Sequence, residues 1–112
     1  MAKSKYEYVK YFEQSTPLLP SCYIVVRIDG RSFTKFCESL NFEKPNDMRG
    51  LKLMNKAAKT VMSNFKDIAM AYGQSDEFSF VFRKYATLFN RRSDKILSCV
   101  VSLFSSAYIF HF

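Results

Sequence analysis

Residues 67–83 read DIAMAYGQSDEFSFVFR, and this stretch decides the predicted fold. Two short strand-like runs, 67–73 and 78–83, flank a link at 73–77 that has the length and residue types of a hairpin connection. In the second run Phe78, Phe80 and Phe82 alternate with smaller or polar residues, as in a strand that buries one face. The stretch therefore predicts an antiparallel hairpin with two acids, Asp76 and Glu77, at its tip.

A further strand is predicted at residues 22–28, a nearly continuous apolar run rich in β-branched residues. Such a run is typical of a central strand that is buried on both faces. Alternation divides its residues between two faces, with Ile24, Val26 and Ile28 on one and Val25, Arg27 and Asp29 on the other. The pair Asp29-Gly30 closes this strand.

The other segments favour helices. Tyr6, Val9 and Phe12 recur at helical spacing and predict a short amphipathic helix up to about residue 14. Residues 32–38 are predicted as a short helix and 41–46 as a loop, with Asp47 as the N-cap of the next helix. That long helix is predicted from one apolar stripe, which lies opposite Lys52, Lys56 and Lys59 and consists of Leu51, Met54, Ala58, Val61, Met62 and Phe65.

A last helix is predicted from about residue 89, and its apolar pattern still continues at Phe110 and Phe112 without a stop signal. Together the elements predict one α+β domain over residues 1–112. It is a β-α-β-β-α unit whose helices pack on a small, mainly antiparallel sheet. Because no stop signal follows the last helix, the unit is expected to be incomplete at its C-terminus.

Composition excludes several classes of protein. The chain has 112 residues, 48% of them hydrophobic and 24% charged, which is typical of one globular domain. No stretch approaches the ~18 consecutive apolar residues of a membrane span, and the first segment has no apolar region of a secretory signal. Cys22, Cys37 and Cys99 lack paired spacing and are interpreted as buried thiols of an intracellular protein. With His111 as the single histidine, catalytic His triads and histidine-rich metal cages are not expected, so any chemistry must use carboxylates.

The charge balance of 17 Lys and Arg against 10 Asp and Glu gives a net charge of +7. A polyanionic partner such as nucleic acid or nucleotide phosphate would account for this excess, and so would solvated lysines on helix faces. Arg91, Arg92 and Lys95 fall at the start of the last helix, where positive charge opposes the helix dipole. This position favours a nearby phosphate over a merely solvated first turn.

Two acidic spots, Asp29 and Asp76-Glu77, fall at strand ends that neighbouring strands would bring to one edge of the sheet. Mg²⁺ is usually held by one or two carboxylates together with water and substrate phosphates. Two such ions about 3.5–4 Å apart both activate an attacking oxygen and neutralise the leaving one. The pattern predicts nucleotidyl transfer; the alternative is that Asp29-Gly30 forms a turn and the hairpin acids are solvated.

Residues next to Asp29 extend this candidate site. Gly30 leaves room for a nucleotide to approach the backbone. The following residues open a helix whose first amides suit phosphate; they are Arg31, Ser32, Phe33 and Thr34. Arg27 shares the strand face of Asp29 and is expected to pair either with that acid or with a triphosphate.

Three ordered blocks carry a family resemblance: RIDGRSF at 27–33, KPND at 44–47 and AYGQSDEFSF at 71–80. They closely resemble those of the tRNA-histidine guanylyltransferases. Residues 1–9 and the Asn90-Arg91-Arg92 segment are also similar, so the resemblance covers the whole chain.

This resemblance implies a palm-type, ferredoxin-like fold and an Mg²⁺-dependent enzyme that adds a guanylate to the 5′ end of tRNA for histidine, after ATP activates that end. By match, the catalytic Asp29 and Asp76 and the Gly30 carbonyl hold two Mg²⁺ ions. GTP is lined by residues 29–34, Ser75 and Asp76. Contacts to triphosphate or RNA are implied for Lys44, Asp47, Arg92 and Lys95, with Arg27 as a further candidate.

The resemblance also implies GTP, ATP and tRNA as partners, a homo-oligomer in the full-length family, and a place in the cytoplasm or nucleus, or in the mitochondrion. Members of the family are well over twice this length, so the chain is expected to be an amino-terminal part. The alternative function is a basic nucleotide- or RNA-binding module without catalysis.

Overall fold

The computed structural model describes residues 4–14, 16–31, 35, 39 and 48–112. Strands in these ranges are β1 (Ile24–Asp29), β2 (Ile68–Gln74) and β3 (Glu77–Phe82). The α-helices are α1 (Met48–Asn64) and α2 (Ser93–His111), and two short 3₁₀ helices cover Glu7–Phe12 and Leu88–Arg91.

The described strands form one antiparallel sheet with the order β1-β3-β2. The predicted hairpin is confirmed as β2 and β3, and its link narrows to a two-residue turn in which Ser75 adopts a φ of 57°. β3 is the central strand, and its alternate phenylalanines Phe78, Phe80 and Phe82 are buried. Among the described strands, the one with alternating phenylalanines is therefore also the one that has neighbours on both sides.

Within the described sheet β1 is an edge strand, and not the central strand that its apolar run predicts. The assignment of its two faces is right: Ile24, Val26 and Ile28 are buried, whereas Val25 is 61% exposed. The β-branched run suggested burial on both faces, but the described helices cover only one side of the sheet.

Both α-helices pack on that covered side and contact each other, which confirms the predicted α+β arrangement. α1 occurs where its apolar stripe predicts, and it buries Ala57 and Val61. The Phe104 ring of α2 lies 6.0 Å from Phe78 and 6.2 Å from Phe80 between ring centroids. These aromatic contacts join α2 to the central strand close to the hairpin turn.

The first segment differs from its prediction. It forms a 3₁₀ helix, Glu7–Phe12, with no buried residue, and Tyr6, Val9 and Phe12 are all exposed. Helical spacing alone did not show that this segment lies away from the core. The predicted helix at 32–38, apart from residue 35, lies outside the residues that the structure describes, as do the loop at 41–46 and the Asp47 cap.

Two further expectations need correction. Cys22 is exposed and Cys99 is half-buried, so the interpretation of the cysteines as buried thiols is wrong for Cys22; Cys37 lies outside the described residues. α2 contains no uninterrupted apolar run of 18 residues, yet by length and composition alone it is apolar enough to cross a membrane. In this structure one side of α2 packs in the core through Ile96, Val100 and Phe104.

Gly73 provides a test of the packing at the end of the hairpin. It lies opposite Phe78, and a Cβ built on Gly73 would come within 2.6 Å of the Phe78 Cζ atom. Gly73→Ala must displace this core ring, so we expect the free energy of unfolding to fall by about 1–3 kcal/mol, the usual cost of overpacking. Urea denaturation measures it, with Ala69→Gly, at an exposed site in the same strand, as a comparison. A stable Gly73→Ala variant would show that the ring moves freely.

Candidate metal and nucleotide site

Asp29 and Asp76 meet at one end of the sheet. Asp29 is the last residue of β1 and lies opposite Glu77, the first residue of β3. The Gly30 N–H donates a hydrogen bond of 3.0 Å to the carbonyl oxygen of Asp76. This bond connects the end of β1 directly to the hairpin turn, so the two acidic strand ends meet as the sequence predicts.

The two carboxylates also interact electrostatically. Partial burial raises the pKa of Asp76 above its usual value, and the neighbouring Asp29 charge raises it further. Both causes disfavour a second negative charge at this point. A cation placed between the acids would remove that penalty, so the donor set fits a hard divalent ion of the Mg²⁺ class.

Glu77 is held differently from its neighbour Asp76. The Arg27 side chain, which lies on the exposed face of β1, forms an ion pair with Glu77 through its Nε and Nη2 atoms. The ion pair of Arg27 is therefore with Glu77 and not with the predicted Asp29, while its contact with a triphosphate stays a prediction. This pair leaves Asp29 and Asp76 as the two carboxylates directed to the candidate site, and no cluster of three acidic, His or Cys ligands occurs among the described residues.

A cavity of about 410 Å³ opens beside the acid pair. Its polar end is formed by Asp29, Gly30, Arg31 and Asp76. Its other wall comes from the two helices and is mainly apolar, with Met54, Val101, Phe104, Ser105, Tyr108 and Ile109. Sequence reasoning missed this helical wall, because only the packing of α2 against α1 reveals which of their residues face the strand ends.

The family described as tRNAHis guanylyltransferase matches residues 6–112 of the chain. The chain belongs to this guanylyltransferase family. A tRNA(His) guanylyltransferase of Neurospora crassa is 60% identical over 99% of this chain, and a probable one of Homo sapiens is 53% identical over 99%.

Solved structures agree with the fold. The crystal structure of the Saccharomyces cerevisiae tRNA(His) guanylyltransferase covers 94% of this chain at 49% identity, with a TM-score of 0.87. A bacterial guanylyltransferase-like protein, solved in complex with GTP, has a TM-score of 0.78 at 24% identity and shows the shared fold. The chain spans 38% of the Neurospora relative and 46% of the yeast chain, so it corresponds to less than half of either.

Several residues that the guanylyltransferase resemblance assigns to the nucleotide stay predictions. Ser75 is exposed in the hairpin turn beside Asp76. The others lie outside the described residues; they are Ser32, Phe33, Thr34, Lys44 and Asp47.

Arg92 and Lys95 lie at the opposite end of the sheet from the acid pair. The Arg91 side chain, just before α2, binds the Cys22 carbonyl oxygen near the start of β1. Asp29 is at the other end of β1, and the usual rise per residue separates it from Ile24 by roughly 16 Å. Arg92 lies 3.8 Å from Asp94, and Lys95 lies over the Phe89 ring. The contact of these two residues with triphosphate or RNA stays a prediction.

Arg91 has a structural role that its charge did not reveal. It is buried, and its guanidinium donates hydrogen bonds of 2.7 Å to the carbonyl oxygens of Ala86, Leu19 and Cys22. Phe89, Asn90 and Arg91 all have positive φ values, between 50° and 60°, which L-residues adopt at an energetic cost. Arg91 thus stabilises a left-handed turn before α2, and its predicted phosphate contact is wrong for this residue.

The raised pKa of Asp76 predicts a pH-dependent stability. Because the pKa of Asp76 is higher in the folded state than in the unfolded state, the group contributes stability at any pH below its pKa in the unfolded state. This contribution is lost as the pH rises through its pKa in the folded state. At pH 7, without divalent ions, Asp76→Asn should therefore increase the free energy of unfolding, and the gain should shrink towards pH 3. Thermal unfolding at both pH values measures it, with the exposed Glu13→Gln as control. A gain that is equal at both pH values would contradict the repulsion.

Proposed function

We propose that this chain carries the metal- and GTP-binding part of an enzyme that adds a guanylate to the 5′ end of tRNA for histidine. The observation that carries the proposal is the meeting of Asp29 and Asp76 beside a 410 Å³ cavity, in a chain of the guanylyltransferase family. An acid pair with an adjoining cavity is what nucleotidyl transfer requires, because the reacting phosphates need a cation and the nucleoside needs a surface.

In this proposal Mg²⁺ is held by the Asp29 and Asp76 carboxylates and the Gly30 carbonyl, and when bound it supplies charge neutralisation at the reacting phosphates. The hydrogen bond from the Gly30 N–H to the Asp76 carbonyl fixes the distance between the two acids. Arg27 forms an ion pair with Glu77, which offsets part of the negative charge that Glu77 adds beside Asp76.

The apolar wall of the cavity receives the nucleoside. Met54 from α1 and Phe104 from α2 are buried side chains at this wall, and Ile109 lies on its exposed rim. Apolar surface with a few polar groups at one end is the usual composition of a cofactor or nucleotide pocket. Burying the purine there orients the triphosphate towards the acid pair and excludes water from its apolar side.

The second candidate function is a basic nucleotide- or RNA-binding module without catalysis. The net charge of +7 favours it. The two functions differ in one product. An enzyme extends a 5′-triphosphate or ATP-activated tRNA with GTP, whereas the module binds both substrates and leaves the tRNA length unchanged.

The acid pair should be required for metal-dependent nucleotide binding. We expect Asp29→Ala and Asp76→Ala each to abolish the Mg²⁺-dependent protection by GTP against thermal unfolding. For the unchanged protein that protection is worth about 2.7 kcal/mol when GTP is at 100 times its Kd. Differential scanning fluorimetry with and without Mg²⁺ measures it.

Asp94→Ala is the matched control, because this acid lies at the start of α2, away from the cavity. It should retain the protection by Mg²⁺ and GTP. If the two acid-pair variants retain it as well, Asp29 and Asp76 do not hold the metal and the proposed site is wrong.

A further inference from the structure

One side of α1 carries a concentration of positive charge. We define the basic face as its four exposed cations, Arg49, Lys52, Lys56 and Lys59. At 100° per residue they fall within about 80° of arc, opposite the buried side of the helix. α1 contains no Asp or Glu, so this single helix contributes four positive charges to a chain whose net charge is +7.

Such an arrangement is unfavourable in isolation. Like charges three or four residues apart destabilise a helix by about 0.2–0.5 kcal/mol per pair. Lys52, Lys56 and Lys59 make no ion pair within the described ranges of the chain. A polyanion bound along this face would remove the repulsion.

The basic face borders a hollow with an aromatic edge. A cavity of about 240 Å³ is lined by Arg49, Lys52, Leu53, Lys56, His111 and Phe112. The His111 Nε2 atom lies 3.2 Å from the Thr60 hydroxyl, which places the imidazole beside the lysines. Cations combined with exposed aromatic rings are typical of surfaces that bind nucleic acid through phosphates and unstacked bases.

This hollow adjoins the cavity of the acid pair. Leu53 and His111 line the basic hollow, whereas the near neighbours Met54 and Ile109 line the cavity that contains Asp29 and Asp76. An RNA end at two carboxylates experiences repulsion there, so its remaining phosphates need cations close by. Arg31 lines the cavity itself, and the basic face supplies further cations next to it.

We propose that the basic face binds the ribose-phosphate backbone of RNA next to the end that reacts. The identity of this RNA as tRNA rests on the proposed function; the polyanion contact rests on the charges alone. A membrane surface fits less well, because helices that bind membranes expose an apolar face beside the cations. In α1 the apolar face is buried in the core; Ser63 lies among the cations, and Asn55 and Thr60 flank them.

The test uses the whole 112-residue chain and a transcribed tRNA(His) in Mg²⁺-free buffer, with binding measured by fluorescence anisotropy over a series of KCl concentrations. The triple variant K52Q/K56Q/K59Q should bind about 10- to 100-fold more weakly at 0.1 M salt, with the salt slope reduced by about 2. K5Q/K10Q/K66Q is the matched control, because it removes the same charge from exposed lysines elsewhere. It should keep the slope of the unchanged protein.

Equal salt slopes for the triple variant and the unchanged protein would overturn the proposal. An equal reduction in the control would overturn it too, since the effect would then be that of net charge. Preferential binding to phosphatidylserine vesicles, lost in the triple variant, would assign the face to membranes instead. Should the triple variant unfold, K52Q/K56Q provides the same comparison with a slope change of about 1 to 2.

Protection by Mg²⁺ and GTP separates this inference from the proposed function. If the proposed function fails, the unchanged protein lacks that protection, but the comparison of tRNA salt slopes still holds. If only the basic face is wrong, the protection remains and the slopes coincide.

Discussion

The hydrogen bond from the Gly30 N–H to the Asp76 carbonyl oxygen connects the two parts of the chain on which the candidate site depends. It continues the antiparallel pairing of β1 with β3 by one step past Asp29 and Glu77. Because side chains alternate along a strand, a slip of one residue in this pairing would turn Asp29 to the covered side of the sheet. The register of β1 against β3 therefore determines whether two acids 47 residues apart in sequence share one site.

Contacts near both ends of β1 stabilise that register. Near the site, Phe78 covers Gly73 and contacts Phe104, so the hairpin and α2 are fixed to each other. At the other end, Arg91 binds the carbonyl oxygens of Leu19 and Cys22 just before β1 begins. The fully buried Phe80 and Phe82 lie between these two anchors. A strained turn and a buried cation are thus used far from the chemistry, where they hold the strand that carries Asp29.

Much of this arrangement can be predicted from the sequence because it depends on local pattern. The alternating phenylalanines predict β3, the apolar stripe predicts α1, and the two acidic strand ends predict where carboxylates meet. The position of β1 at an edge could not be predicted, because it depends on which strand lies between the others, and β-branched runs occur at both positions. The partners of Arg91 and Arg27 could not be predicted either, because only the fold brings them close. Arg91 binds carbonyl oxygens of distant residues, and Arg27 pairs with an acid of the neighbouring strand. The cavity wall from α2 was missed for the same reason: it requires the helix packing to be known.

The central claim is that Asp29 and Asp76 act as one metal site. The most direct measurement is the affinity for Mn²⁺, followed by electron paramagnetic resonance, in the unchanged chain, Asp29→Asn, Asp76→Asn and the double variant. Ligands of a shared ion are not additive, because removing either one removes most of the binding. We expect each single variant to lose nearly as much affinity as the double variant. Losses that simply add, or single variants that bind Mn²⁺ as the unchanged chain does, would contradict the shared site.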